Sequence, residues 1–350
     1  MSTFPLAALA TRALSVLVVL SCLSDAQAAP ASITNPEKLG LSSGRLTRLD
    51  DWMREEIAQK RKAGAVVLIA RHGKVAWEKA YGMADMASGK PMRTDSMFRL
   101  FSMTKPVTSV ALLTLYEQGR FQLTDPLEKY LPAFRGVKVY AGVDAAGKAM
   151  LRAPKRQITI QDVLRHTAGF VYGYFDDTPV DRAYRDAGIE YAKLESLSEL
   201  VDKVAAMPLL YDPGERWVYS FAHDVQAYLV ERLSGMRFDE YCRRVIFEPL
   251  GMRDTVFGVP AERADRYATD YKVDSAGSLH ALSGQEDIYS RFAQRPFGGI
   301  SLSSTARDYL RFAQMLLNGG ELDGVHVLGR KTVELMASDN LPPGTDYRAP

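Results

Sequence analysis

The stretch RLFSMTKPVTSVALLTLYEQGRF, Arg99 to Phe121, limits the fold more than any other part of the sequence. It reads as a strongly apolar helix, which belongs inside a core and not on a surface. Its start carries Ser102 and Lys105, three residues apart and therefore on one helical face. A lysine on the packed side of a helix costs free energy unless it has a partner or a task. Any fold for this chain must bury the helix and give Lys105 something to do at its end.

The remaining composition narrows the task. With 350 residues, 47% hydrophobic and 25% charged, the chain matches a soluble globular protein of one large domain or two. Its formal net charge of +2 comes from basic residues scattered among acidic ones, which argues against a nucleic-acid surface. The five histidines include no close pair, and HExxH and paired cysteines are missing. Neither a metal site nor a cofactor is expected. Cys242 sits in the helical pattern FDEYCRRVIFEPLG and is expected to be a buried apolar residue.

Residues 1–28 have the pattern of a secretory signal peptide. An apolar run from Leu14 to Leu23, too short to span a bilayer, follows Arg12 and precedes Ala26-Gln27-Ala28. Export to the periplasm or beyond is expected. Val19-Leu20-Ser21-Cys22 partly matches a lipoprotein cleavage site, so a lipid anchor at Cys22 is the one membrane attachment considered. If Cys22 departs with the signal, Cys242 is left alone and no internal disulfide forms.

Along the rest of the chain, Leu46 to Ala58 repeats apolar residues at helical spacing, with Ser42 or Ser43 as cap. AGAVVLIARHGKVAWEKAYG predicts two strands joined at His72-Gly73-Lys74, the first apolar throughout and so expected to be buried. Residues 134–157 suggest an irregular segment or a small hairpin turning at Ala146-Gly147-Lys148. ITIQDVLRHTAGF predicts a short helix from a Thr159 cap to about Gly169, and SSTARDYLRFAQMLLNGG another, capped by Ser303 or Ser304. Strands at the front followed by many helices predict an α+β fold. In it, residues 40–104 and 298–350 hold the sheet and residues 105–297 form a mainly helical insertion.

A serine hydroxyl becomes a useful nucleophile only when a neighbour takes its proton. Lys105 can reach Ser102, and burial plus the positive end of a helix both favour the neutral amine that could accept it. The same helix end leaves backbone N–H groups, Ser102's among them, free to donate to an oxyanion. Tyr219, in YDPGERWVYSFAHDVQAYLVERLSG, follows a turn rich in proline and glycine and precedes a further helix.

Together SMTK, LRHTAGF, FEPLGMRDTVF and GGISLSSTARDYLRFAQMLLNGG resemble the β-lactamase-related serine hydrolases over roughly residues 40–340. That family includes class C β-lactamases, DD-peptidases related to penicillin-binding proteins, and family VIII carboxylesterases. The stretches VYGYFDDTPVDRAYRDAGI and MPLLYDPGERWVYS look most like the last group. The serine–lysine signature is also a general one for acyl transfer. The resemblance implies Ser102 as acylated nucleophile, Lys105 as its proton acceptor and Tyr219 as relay to the leaving group. Trp217 and Phe221 are candidates to line an acyl pocket, or else core. A small ester is the substrate class implied first, with β-lactam or peptide amides second and a non-catalytic peptidoglycan-ligand-binding role third.

Two departures from the family are visible. Where lactamases and DD-peptidases have Tyr-x-Asn, this chain has Tyr219-Ser220-Phe221, which removes a partner for a substrate amide and favours esters. The family's Lys/His/Trp-x-Gly motif, source of a second oxyanion donor, is not found before Pro350. Relative to the family, the final strands and last helix are therefore expected to be missing. Loss of one such donor costs about 100- to 1000-fold in rate. Gly40-Leu41-Ser42-Ser43-Gly44 mimics a nucleophile elbow but lacks the buried strand that must precede one. His166 and His223 are expected to have structural roles, since Lys105 already fills the post of base.

Overall fold

His72 and Gly73 both take positive φ, 54° and 71°, a turn that matches the twist of the two strands it joins. In the computed structural model, which describes residues 32–282, 292 and 294–345, these strands are β1 (Gly64–Arg71) and β2 (Lys74–Asp85). The signal-peptide segment 1–28, Cys22 included, lies outside the described residues. Ser42 caps α1 (Ser43–Ala58) by accepting from the Arg45 N–H, so the Gly40–Gly44 stretch is a helix start and not an elbow. The β2 strand also pairs with β3 (Lys90–Pro91), giving the order β1-β2-β3. β1 is half-buried and not buried as its composition suggested. It stands at the edge of this sheet, with a hydrogen-bonded strand on one side only among the described residues.

A second sheet, β4-β10-β7, positions the site. It joins β4 (Phe98–Arg99), β10 (Leu302–Ser304) and β7 (Val256–Phe257), all antiparallel. The chain leaves β4 through one 3-10 turn, Phe101–Met103, and enters α2 (Thr104–Glu117). Pro106 is accepted there because the first turn of a helix needs no N–H from it. Ten of the α2 residues are buried, and the helix packs against α6 (Ala222–Ser234) in the heart of the core.

Around this pair stand α3 (Ile160–Leu164), α4 (Pro179–Asp186), α5 (Leu197–Ala206) and α7 (Phe238–Cys242), with α8 (Ala306–Leu317) and α9 (Arg330–Met336) later in the chain. Three small hairpins complete the elements: β5 (Val139–Val143) with β6 (Ala149–Arg152), β8 (Tyr271–Val273) with β9 (Leu279–Ala281), and β11 (Glu321–Leu322) with β12 (Val325–His326). The arrangement is α+β. Cys242 is fully buried, packed as an apolar residue.

Two helix boundaries differ from expectation, each for a local reason. α3 stops at Leu164, five residues before Gly169, because His166 takes a left-handed backbone conformation with φ 59°. α8 is capped by Thr305, which accepts from the Asp308 N–H. Ser303 and Ser304 are already committed to β10 and cannot also cap it.

Candidate active site

Ser102 stands on the 3-10 turn ahead of α2 and not on the helix itself. The preceding Phe101 has φ 46°, a conformation costly for a bulky side chain and concentrated at functional sites. The turn lifts Ser102 to the surface while Lys105, one turn on, is buried. The lysine nitrogen lies 3.1 Å from Ser102 Oγ and donates to the Gly299 carbonyl oxygen at 2.8 Å. Tyr219 Oη donates to Ser102 Oγ at 2.6 Å. The three residues named from sequence thus meet at one hydroxyl, although Tyr219 is 117 positions from Ser102.

The segment facing α2 is sewn to it by backbone. Thr108 Oγ1 donates to the Gly298 carbonyl at 2.7 Å, and the Leu302 N–H donates to Thr104 Oγ1 at 3.0 Å. Both glycines are required for so close an approach. A Cβ on Gly298 would lie 2.3 Å from the His223 carbonyl oxygen, and one on Gly299 would lie 2.5 Å from Tyr191 Oη. Sequence reasoning placed GGI inside a shared motif without seeing that its carbonyls receive the lysine and a threonine.

Tyr219 is delivered by the turn before α6, which is bolted to the LRHTAGF loop. The Val218 N–H donates to the His166 carbonyl at 2.9 Å and the Gly214 N–H to the Thr167 carbonyl at 2.7 Å. That loop is built on Asp162, wholly buried on α3, which forms a capping box with Thr159 and accepts from Thr167 Oγ1. Arg156 and Arg165 both pair with it, at 2.5 and 2.9 Å. Burial pushes its carboxyl up, but Arg156, Thr159 and Arg165 outweigh that and hold it down at about 2.

His166 and His223 lie behind Tyr219, their ring centres 4.7 Å apart. Burial first, and the charge of Lys105 second, depress His166 to about 3, so its imidazole is neutral at physiological pH. Burial and then the neighbouring His166 and Lys105 push His223 well below its usual value. His166 Nδ1 is 3.2 Å from Ser220 Oγ.

The remaining candidates part company. Trp217 is half-buried and stacks on Tyr219 with centroids 6.1 Å apart. With His166, Ser109, Leu113 and Arg165 it also lines a cavity of about 400 Å³. Phe221 is completely buried, its ring among Tyr172, Tyr184 and Tyr191. The exposed apolar side chains near the nucleophile are instead Phe101 and Met103, which flank Ser102 in the chain, and Tyr174 and Phe175, with the Phe175 ring 5.6 Å from Tyr219. These aromatics were missed as site residues because a loop sequence gives no register to aim them. Among the described residues, no group of three or more His, Cys, Asp or Glu could hold a metal ion.

Known proteins share this frame. Esterase EstB of Burkholderia gladioli is 34% identical over 299 residues, covering 80% of this chain and 72% of that one. Among solved structures, EstCE1, a hydrolase with promiscuous acyltransferase activity, superposes with a TM-score of 0.71 at 28% identity over 84% of this chain and 77% of its own. The simvastatin synthase LovD of Aspergillus terreus gives 0.75 at 27% identity, over 87% and 75%. The sequence profile of the beta-lactamase family matches residues 49–348, which span every element that brings Ser102, Lys105 and Tyr219 together, and the chain belongs to that family.

Proposed function

We propose that the chain is a serine hydrolase cleaving esters of small acyl groups through an acyl-enzyme on Ser102. One observation carries the proposal: Ser102 Oγ is within hydrogen-bond reach of both Lys105 Nζ and Tyr219 Oη. Lys105 accepts the hydroxyl proton as Oγ attacks the ester carbonyl. The Ser102 N–H, at the open end of its turn, donates to the oxygen that becomes negative. The ester C–O bond then breaks, the leaving alkoxide takes its proton through Tyr219, and water later releases the acid.

Esters are favoured over amides by what stands after Tyr219. Ser220 is buried against His166 and Phe221 is enclosed in the core, so neither offers a polar group to a substrate amide. The exposed apolar side chains beside Ser102 and Tyr219 suit an uncharged acyl or alcohol portion. A second use of the same acyl-enzyme, transfer to an alcohol, is supported by the named activities of EstCE1 and of the acyltransferase mokF of Monascus pilosus, 28% identical over 319 residues. Export, with or without a lipid anchor at Cys22, is proposed from residues 1–28 alone.

The test exposes the protein to p-nitrophenyl butyrate, nitrocefin and a fluorophosphonate, and locates any adduct by mass spectrometry. An adduct on Ser102 with ester turnover above nitrocefin turnover is expected. Faster nitrocefin turnover would shift the assignment to a β-lactamase, and a folded protein with no adduct would overturn the hydrolase assignment. Butyl ester formation in added butanol would identify transfer.

A further inference from the structure

Lys105 is buried, yet the groups it touches among the described residues are neutral: Ser102 Oγ, the Gly299 carbonyl, and the ring faces of Tyr219 and Tyr172 at 4.6 and 5.6 Å. A buried amine that is to exchange protons needs something to fix its place and balance its charge. The compensation comes from one residue further back. Asp224 on α6 is completely buried, and its Oδ1 accepts from the Gly299 N–H at 3.0 Å. Its Oδ2 accepts from Tyr191 Oη at 2.8 Å. Gly299 is therefore held at both ends, its N–H by a carboxylate and its carbonyl by the lysine.

We propose that Asp224 is a positioning residue for acyl transfer at Ser102, seating Lys105 through Gly299 and supplying the buried negative charge behind it. This rests on the hydrolase assignment above. Geometry makes the link tight, since a Cβ on Gly299 would come within 2.8 Å of Asp224 Oδ2. The groups around the pair leave Asp224 as the anion that Lys105 meets. Tyr191, Tyr172 and Tyr174 face the carboxylate as neutral phenols, their pKa pushed up by burial first and by Asp224 itself second. His166 and His223 face the lysine as neutral imidazoles, and Tyr219 lies against it. Burial lifts the Asp224 carboxyl to about 6, with Tyr191, Lys105 and the Gly299 N–H opposing the rise. Above that pH the site holds an anion with no cation in direct contact among the described residues.

The experiment measures the rate of Ser102 labelling by a fluorophosphonate from pH 5 to 9, for wild type, Asp224→Asn and Tyr191→Phe. Asparagine keeps the acceptor for the Gly299 N–H and removes the charge. With that charge gone, the acid limb of labelling is expected to move down by about one pH unit or more. Tyr191→Phe strips one donor from the carboxylate, leaves it protonated over more of the range, and moves the limb the same way by less. A folded Asp224→Asn whose acid limb stays in place, or whose rate falls by one factor at every pH, overturns the inference. Should Asp224→Asn fail to fold, Tyr191→Phe decides by the same criterion. A folded wild type that takes no label at Ser102 overturns the hydrolase assignment and this inference together; a labelled wild type with immovable limbs overturns only this one.

Discussion

Two aspartates are equally buried within the helical core, and their surroundings drive them in opposite directions. Asp162 sits between Arg156 and Arg165 and is held at about 2; Asp224 meets a phenol and a peptide N–H and is lifted to about 6. Around Asp162 the groups are permanent charges or fixed donors, so that carboxylate stays ionised throughout the neutral range. Around Asp224 the cation acting on it among the described residues is Lys105, reached through a peptide and not by contact. The difference teaches that one buried carboxylate builds the frame and the other leaves a proton balance open to adjustment. Breaking each region should therefore damage a different property.

The largest effect is expected at the adjustable end. Lys105→Ala removes the proton acceptor, and Ser102 labelling should fall by about 10⁴-fold, the upper range for a proton-transfer group. The circular dichroism spectrum should be unchanged. Equal labelling of variant and wild type would remove the lysine from the chemistry and leave Asp224 with nothing to position.

At the locked end the same kind of truncation should act on stability. Asp162→Ala leaves two arginines facing an emptied buried site, which costs about 3–5 kcal/mol in urea unfolding. The fraction still folded should label within about tenfold of wild type. A variant of normal stability and abolished labelling would mean that Asp162 acts on the reaction and that the contrast with Asp224 is false.

Between these lies Gly299, where the two regions' logic meets. Gly299→Ala would press a methyl against Tyr191 and Asp224, displacing the carbonyl that seats Lys105. A displacement near 1 Å at a reacting group costs about 100-fold, so labelling should drop by that order, with a loss of stability of about 1–3 kcal/mol from the overpacked contact. Loss of stability without loss of rate would separate the carbonyl from the lysine's placement.

Much of this was legible in the sequence where chemistry and local spacing coincide. Ser102 and Lys105 are three residues apart, so one turn suffices to join them, and Thr159 with Asp162 is a capping box that needs no tertiary contact to be read. Tyr219 was reached only through resemblance, since no local rule brings residue 219 to residue 102. Asp224 and Gly299 escaped notice for a physical reason. They lie 75 residues apart, on α6 and on the segment before β10, and only tertiary packing gives them a shared purpose. β1 misled in the other direction: continuous apolarity suggested burial on both faces, whereas the strand stands half-buried at a sheet edge. Ser303 and Ser304 likewise had cap chemistry but were taken by β10.

The smallest effect offers the sharpest check on the locked region, because it depends on sign as well as size. Thr159 accepts from the Asp162 N–H and donates its hydroxyl to Asp162 Oδ2 at 2.8 Å. Thr159→Ala should cost about 1 kcal/mol as a lost cap at pH 7. Asp162 has its folded value below the ordinary 3.8, so its ionised form adds stability that is complete above the ordinary value and fades as pH falls toward about 2. Removing a donor to that carboxylate brings its folded value closer to the unfolded one, and the variant should lose less on acidification than wild type does. Urea unfolding at pH 7 and at pH 3 should thus find the gap between the two proteins narrower at pH 3. A gap of constant width would mean that the Thr159 hydroxyl caps the helix without stabilising the charge beside it.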